Sequence, residues 1–165
     1  MKRKDTKMNI KIEKMTLDDF EQIQSCLIEE FDDFWSPTML KQELENKQNL
    51  NSHYFVAKLI QSDLNEIVGF AGITIVIDEV NIMNIVVKKD KRNLGIGSLL
   101  LEAIIQFAKQ SNTLMSCNIS SITLEVNEKN LPAISLYQKY DFQQVGIRKK
   151  YYNNSDDALI MNLII

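Results

Sequence analysis

Apolar and polar positions along this chain follow two rhythms, and the switches between them mark its elements. Asn9 to Glu13 alternates with a period of two and predicts a first strand. Leu17, Phe20, Ile23, Leu27, Ile28 and Phe31 then share one helical face, with Thr16 placed as cap. Ser36-Pro37 predicts a second, short helix ending by Asn46, because serine caps well and proline fits a first turn. After a polar loop from Asn46 to Ser52, two β-rich runs, Tyr54 to Ile60 and Ile67 to Ile77, flank Ser62-Asp63-Leu64-Asn65 and predict an antiparallel hairpin. Asp78-Glu79 leads into a third strand over 80–88. Ile96, Leu99, Leu100, Ala103, Ile104, Phe107 and Ala108 predict a long helix over 96–111. A strand over 121–126, a short helix opened by Asn130 with Pro132 in its first turn, and strands over 142–150 and 158–164 complete the chain. The order β-α-α-β-β-β-α-β-α-β-β describes an α+β domain, a mixed sheet with helices on its faces.

One junction carries candidate chemistry. Arg92-Asn93-Leu94-Gly95-Ile96-Gly97 joins the buried run Ile82 to Val87 to the long amphipathic helix. Glycines at a strand-to-helix turn let the backbone approach a phosphate, and the first helical turn offers unpaired N–H groups and the positive end of the macrodipole. Lys88, Lys89, Lys91 and Arg92 stand where they could face such an anion. Glycine pairs also make ordinary turns, and a charge run is commonly a solvated loop, so both readings stay open.

Length and composition narrow the class. With 165 residues, 45% hydrophobic and 25% charged, the chain has the size and balance of one globular domain. We read residues 1–8, a basic start without apolar periodicity, as a flexible tail and 9–165 as the single domain. The longest apolar stretches, such as Gly69 to Ile77, fall short of the ~20 residues of a membrane helix. With no signal peptide after the charged start, a cytoplasmic protein is expected. A net charge of −3 and an isoelectric point near 5.3 argue against direct binding to nucleic acid. Cys26, in a helical pattern, Cys117, in a polar loop, and the lone His53 have no ligand-like spacing, so neither a metal site nor a disulfide is expected.

The element order and the glycine turn together resemble the GNAT acetyltransferase superfamily, whose cofactor motif Q/R-x-x-G-x-G/A is met by Arg92, Gly95 and Gly97. The segment from Glu125 to Phe142 looks like the E-V-R-x-S-N-x-x-A-I-x-L-Y-x-x-x-G-F signature of the ribosomal-protein-alanine N-acetyltransferases. Trp35-Ser36, Asp78-Glu79, Asn84-Ile85, Tyr151-Tyr152 and Asp157-Ala158-Leu159-Ile160-Met161 match further pieces. The chain departs from the signature at Asn127 for arginine, Lys129 for serine and Asp141 for glycine. Aspartate tolerates the left-handed backbone that the glycine position needs.

This resemblance implies the GNAT acyl-CoA N-acyltransferase fold and acetyl-CoA as cosubstrate, with no metal. By resemblance the backbone of Ile85, Val86 and Val87 holds the pantetheine arm and the carbonyl, while Arg92, Asn93, Leu94, Gly95, Ile96, Gly97 and Ser98 meet the pyrophosphate. Asn130 contacts the arm, Glu125 is the general base, and Tyr137 is the general acid that protonates the leaving thiolate. Trp35, Asp78, Glu79, Tyr151 and Tyr152 would surround the acceptor. The acceptor implied is a protein N-terminus, that of a small-subunit ribosomal protein with alanine first, and the enzyme a monomer or weak dimer. A GNAT enzyme acting on a lysine or a small amine, and a non-catalytic acyl-CoA binding module, remain as alternatives.

Overall fold

The computed structural model describes residues 8–32, 35–61, 64–114 and 118–165. Residues 1–7 of the expected tail, Ser62-Asp63 of the hairpin turn and Cys117 lie outside them. The expected order is found: β1 (Ile10–Lys14), α1 (Leu17–Ile23), α2 (Pro37–Glu45), β2 (Ser52–Ile60), β3 (Asn65–Val76), β4 (Glu79–Val87), α3 (Ile96–Leu114), β5 (Ser121–Asn127), α4 (Leu131–Lys139), β6 (Gln143–Tyr152) and β7 (Asp156–Ile164). The strands form one seven-stranded sheet in the order β1-β2-β3-β4-β5-β7-β6. All neighbours pair antiparallel except β4 and β5, which are parallel because α3 carries the chain back between them.

Two cores lie on opposite faces of this sheet. Ile96, Leu100, Leu101 and Ile104 of α3 pack on Val68, Ala71, Val80 and Ile122 of the strands beneath. On the other face Phe20, Ile23, Leu27, Phe31 and Leu40 cover Tyr54, Val56, Phe70 and Val86. The caps are those the sequence predicts. Thr16 Oγ1 accepts from the Asp19 amide at 3.2 Å, and Asp19 Oδ2 accepts from the Thr16 amide at 2.9 Å, a capping box. Asp19 is buried, and Lys58 Nζ of β2 meets its carboxylate at 2.8 Å, tying the start of α1 to the sheet. Ser36 Oγ accepts from Met39 at 3.2 Å, with Pro37 in the first turn of α2.

The face expected to run unbroken from Leu17 to Phe31 is broken. α1 stops at Ile23, the chain turns, and a π-helical turn spans Leu27–Phe31, with Cys26 before it rather than inside a helix. The apolar spacing survives because Leu27 and Phe31 both still reach the core. What periodicity could not register is the source of donors for the carbonyls a π-turn frees. Lys89 Nζ donates to the Glu29 carbonyl at 2.6 Å and Arg92 Nη2 to the Phe31 carbonyl at 3.0 Å.

The β3–β4 hairpin holds one conformational strain. Ile77 sits at φ 59 in the turn and is 93% exposed, so a β-branched residue occupies left-handed backbone without contacts that compensate. Ile77→Gly should raise stability by about 1 kcal/mol, read as a higher urea midpoint at unchanged slope.

Candidate active site

β4 and β5 are partners for only the first part of their length. Glu79 to Ile82 pair with Ser121 to Leu124, and no pairing continues beyond Ile82 and Leu124. On the far side of β4 the register shifts at the same level: Gly72 faces Asn84 while Ile73 faces Ile82, leaving Met83 as a bulge. A bulge bends its strand and re-aims the residues beyond it. Met83 to Val87 therefore part from Glu125 to Asn127, and a gap of about 220 Å³ opens between the strands, lined by Asn84, Ile85, Glu125, Asn127, Asn130 and Tyr137 among others.

The gap joins two larger spaces. On one side a cleft of about 510 Å³ runs between the end of β4, the glycine turn and α4. It gathers Ile85, Val86, Val87, Arg92, Asn93, Gly95, Ile96, Gly97, Ser98, Asn130 and Tyr137, every residue expected at the cofactor except Leu94. Leu94 instead stands 48% exposed. The turn is built by two left-handed residues, Asn93 at φ 62 and Gly95 at φ 83. The Gly95 carbonyl accepts from Leu99 and begins the helix. The amides of Ile96, Gly97 and Ser98 then have no acceptor within the helix, and these residues line the cleft, an arrangement suited to an anion. At Gly97 an added Cβ would lie 3.4 Å from Leu136 of α4, so α3 and α4 are close at the mouth of the cleft.

The cations before the turn are spent on the protein itself. Lys88 Nζ meets Glu30 and Glu66, each at 2.9 Å, which pushes its ammonium above the usual lysine range. Lys89 holds the π-turn, and Lys91 pairs with Asp90. Arg92 lines the cleft, yet its Nε donates to the Val87 carbonyl at 3.2 Å while Nη2 reaches Phe31. Of the four cations left open between an anion and a loop role, only Arg92 borders the cleft, as a brace between β4 and the π-turn.

On the opposite side of the gap lies a basin of about 620 Å³, lined by Trp35, Glu79, Asn81, Glu125, Arg148, Tyr151 and Tyr152 among others. Of the expected acceptor residues, Asp78 is missing, because its carboxylate and carbonyl take Ser120. Trp35 is also a core residue, edge-on to Tyr54 with ring centroids 6.1 Å apart. Glu125 borders both basin and gap, and Arg148 Nη2 meets its Oε1 at 2.9 Å. Nothing in the spacing of the sequence announced that partner. Arg148 in turn lies over the Tyr151 ring at 4.8 Å. Tyr137 borders both gap and cofactor cleft, packed against Phe142. Burial, and secondarily Tyr152, pushes its phenol up to about 12, so it remains a proton donor throughout the physiological range.

The three departures from the family signature have structural uses. Asn127 accepts from the Lys129 amide at 2.9 Å and donates to Asp156 at 3.3 Å, and Lys129 Nζ also pairs with Asp156. Together they pin the β5–α4 loop to the β6–β7 turn. Asp141 adopts φ 65, the left-handed conformation that glycine otherwise supplies. Asn130 caps α4, accepting from Ala133 at 3.3 Å, and still borders the cleft.

A sheet parted beside a glycine-turn helix, with a carboxylate and a phenol on the gap, is the architecture of an acyl-CoA N-acyltransferase. The chain belongs to the acetyltransferase (GNAT) family, whose model matches residues 20–142, and it is an acetyl-CoA-dependent N-acetyltransferase. A Bacillus subtilis (strain 168) chain is 32% identical over 151 residues, covering 91% of this chain and 92% of its own. The [ribosomal protein bS18]-alanine N-acetyltransferase of Haemophilus influenzae is 37% identical over 119 residues, covering 70% of this chain and 75% of that one. Among solved structures, the ribosomal-protein-S18-alanine N-acetyltransferase of Escherichia coli superposes with a TM-score of 0.77 at 26% identity, covering 95% of this chain and 94% of that one. Arabidopsis thaliana NAA60, solved in complex with acetyl-CoA, shares the fold with a TM-score of 0.75 at 18% identity over 95% of this chain and 99% of its own.

The residues present suit acetyl-CoA: free first-turn amides for the pyrophosphate, and an unpaired strand edge for the amide-bearing arm. Among the described residues no group of three or more His, Cys, Asp or Glu could hold a metal, and no helix is long and apolar enough to cross a membrane. Gly97→Glu, which puts a carboxylate at the first turn without demanding left-handed backbone, should abolish coenzyme A binding in calorimetry while the far-ultraviolet circular dichroism stays that of the parent.

Proposed function

We propose that this enzyme acetylates the N-terminal α-amine of a protein, with Glu125 as base and Tyr137 as acid, and that the acceptor is the alanine-first terminus of a small-subunit ribosomal protein. The observation that carries this reading is that Glu125 and Tyr137 border one gap, Glu125 continuing into the basin and Tyr137 into the cofactor cleft. An amine arriving from the basin meets the carboxylate before it meets the acyl group. The acceptor's identity is supported by relatives named as [ribosomal protein bS18]-alanine N-acetyltransferases. The reading carries with it a cytoplasmic protein with no direct contact to nucleic acid.

Acetyl-CoA supplies an acyl group activated as a thioester. The amine must be neutral to attack, and an α-ammonium of pKa roughly 7.7–8.0 yields its proton to a modest base, whereas a lysine at about 10.4 does not. Glu125, directly or through water, takes that proton. As the N–C bond forms and the C–S bond breaks, the Tyr137 phenol gives its proton to sulfur and recovers one from the nitrogen. One proton per turnover thus leaves by way of Glu125. Tyr137, buried and kept neutral, does not compete with Glu125 for the ammonium.

Incubation with acetyl-CoA and peptides that differ only in a free or blocked N-terminus tests the acceptor: thiol release is expected with the free α-amine alone. Release with a blocked terminus and an internal lysine would move the enzyme to side-chain acetylation. For the base, Glu125→Gln should lower kcat/KM most near neutral pH, with the deficit shrinking above pH roughly 8. A deficit constant across pH would make Glu125 a positioning residue. Tyr137→Phe, which keeps the packing on Phe142, should cost ~10²- to 10⁴-fold in kcat. Turnover within a factor of two of the parent would return Tyr137 to an anchor of α4.

A further inference from the structure

Asn84 is a polar side chain of this site that neither the scaffold nor the proton transfers employ. It lies on β4 beside the Met83 bulge and borders both the cofactor cleft and the gap, the two spaces that Tyr137 also joins. Its Nδ2 is buried with no hydrogen-bond partner. A buried amide left unpaired is costly, and native chains rarely keep one without a use. His53 Nε2 is a second unpaired buried nitrogen, but its ring packs on Phe107 with centroids 4.7 Å apart, and it borders none of these three spaces. Burial lowers the pKa of that imidazole and holds it neutral. The unpaired amide that marks a ligand is the one on a cleft.

The other amide and carboxylate side chains of the gap contrast with it. Asn127 and Asn130 are committed to Asp156, Lys129 and Ala133. Glu125 is met by Arg148. No bond holds the amide plane of Asn84, so a half-turn about its last side-chain bond exchanges oxygen and nitrogen without breaking anything. A ligand oxygen arriving at the junction would select the N–H. The group that must stop at this junction is the acyl carbonyl, because the cofactor enters from the cleft and the amine from the basin. Negative charge gathers on that oxygen during attack.

We propose that the side-chain amide of Asn84 donates a hydrogen bond to the acyl carbonyl oxygen of the bound thioester, beside the main-chain donors that β4 offers, holding the carbonyl for attack and stabilising its developing charge. The inference rests on the acyl-transfer reading of the gap. It makes Asn84 a catalytic residue whose amide nitrogen no protein group engages, which leaves the donor to the substrate. Such a donor strengthens its bond as charge develops, so its effect falls on kcat more than on binding of the acceptor.

The test compares two ligands by calorimetry on the parent, Asn84→Ala and Asn84→Leu: coenzyme A, and the unreactive ketone analogue of acetyl-CoA in which a methylene replaces sulfur. Affinity for the ketone should fall about 3- to 10-fold in both variants, with affinity for coenzyme A unchanged. With a free-amine peptide, kcat should fall ~10²-fold at constant peptide KM. The thermal midpoint of the ligand-free Asn84→Leu protein should equal or exceed that of the parent, since an unpaired buried amide is replaced by an isosteric apolar group. Equal losses for coenzyme A and the ketone, or a raised peptide KM with the ligand ratio intact, would overturn the assignment. A parent that binds neither ligand would instead overturn the acyl-transfer reading beneath it.

Discussion

The separation of β4 from β5 after four residue pairs is the constraint on which the rest of the site depends. The sheet tolerates the break because each strand keeps its outer neighbour: β4 stays paired with β3 as far as Val87 opposite Gly69, and β5 with β7 as far as Asn127 opposite Ala158. At the break, the two inner edges carry the unpaired backbone groups. An exposed edge is ordinarily a hazard, since it pairs with any extended chain that reaches it. Enclosed between α4 and the rest of the sheet, the same edge admits only a narrow ligand. A pantetheine arm, with its own amides, is such a ligand, and in the reading proposed above it would add to β4 much as a peptide strand does.

The electrostatics of the glycine turn derive from how this edge is held. The π-turn leaves carbonyls unpaired, and the cations that precede the glycine turn go to those carbonyls, to Glu30 and Glu66, and to Asp90. In the proposed reading, phosphate recognition would then fall on main-chain amides and the dipole of α3, whose strength does not depend on a mobile side chain. Arg92 belongs to both systems. It binds the Val87 carbonyl at the end of β4 and borders the cleft, so it fixes the strand edge and adds positive potential to the cleft.

The sequence made the scaffold legible and left much of the wiring hidden, for physical reasons that differ from residue to residue. Element order, the caps at Thr16, Ser36 and Asn130, and the glycine turn come from local rules, and local rules are written in neighbouring residues. The π-turn was not legible, because a helical face and a broken one share the spacing of Leu27 and Phe31. The Arg148 partner of Glu125 was hidden because it comes from the edge strand β6, two strands away in the sheet and twenty-three residues on in the chain. Lys88 and its neighbours looked like phosphate ligands because charge runs carry no address. The partners of Lys88, Glu30 and Glu66, become its neighbours only once β3 and the π-turn flank β4. The unpaired state of Asn84 could not be read at all, since it is a property of surroundings that only the fold assembles.

Satisfaction of polar groups separates scaffold from site more sharply than residue type does. Asn127, Lys129 and Asp156 form a closed set that locks the β5–α4 loop to the β6–β7 turn, and their departure from the family signature costs nothing visible in geometry. Glu125 and Arg148 form a pair open to the basin, which an arriving ammonium can enter as a third charge; exposed pairs of this kind are held weakly and exchange readily. The Asn84 amide nitrogen has no partner. Along that series, from closed network through exchangeable pair to unpaired donor, the chain moves from parts that hold the gap open to parts that meet what enters it. Local rules are obeyed where the protein is its own ligand and left unfulfilled where the substrate completes them.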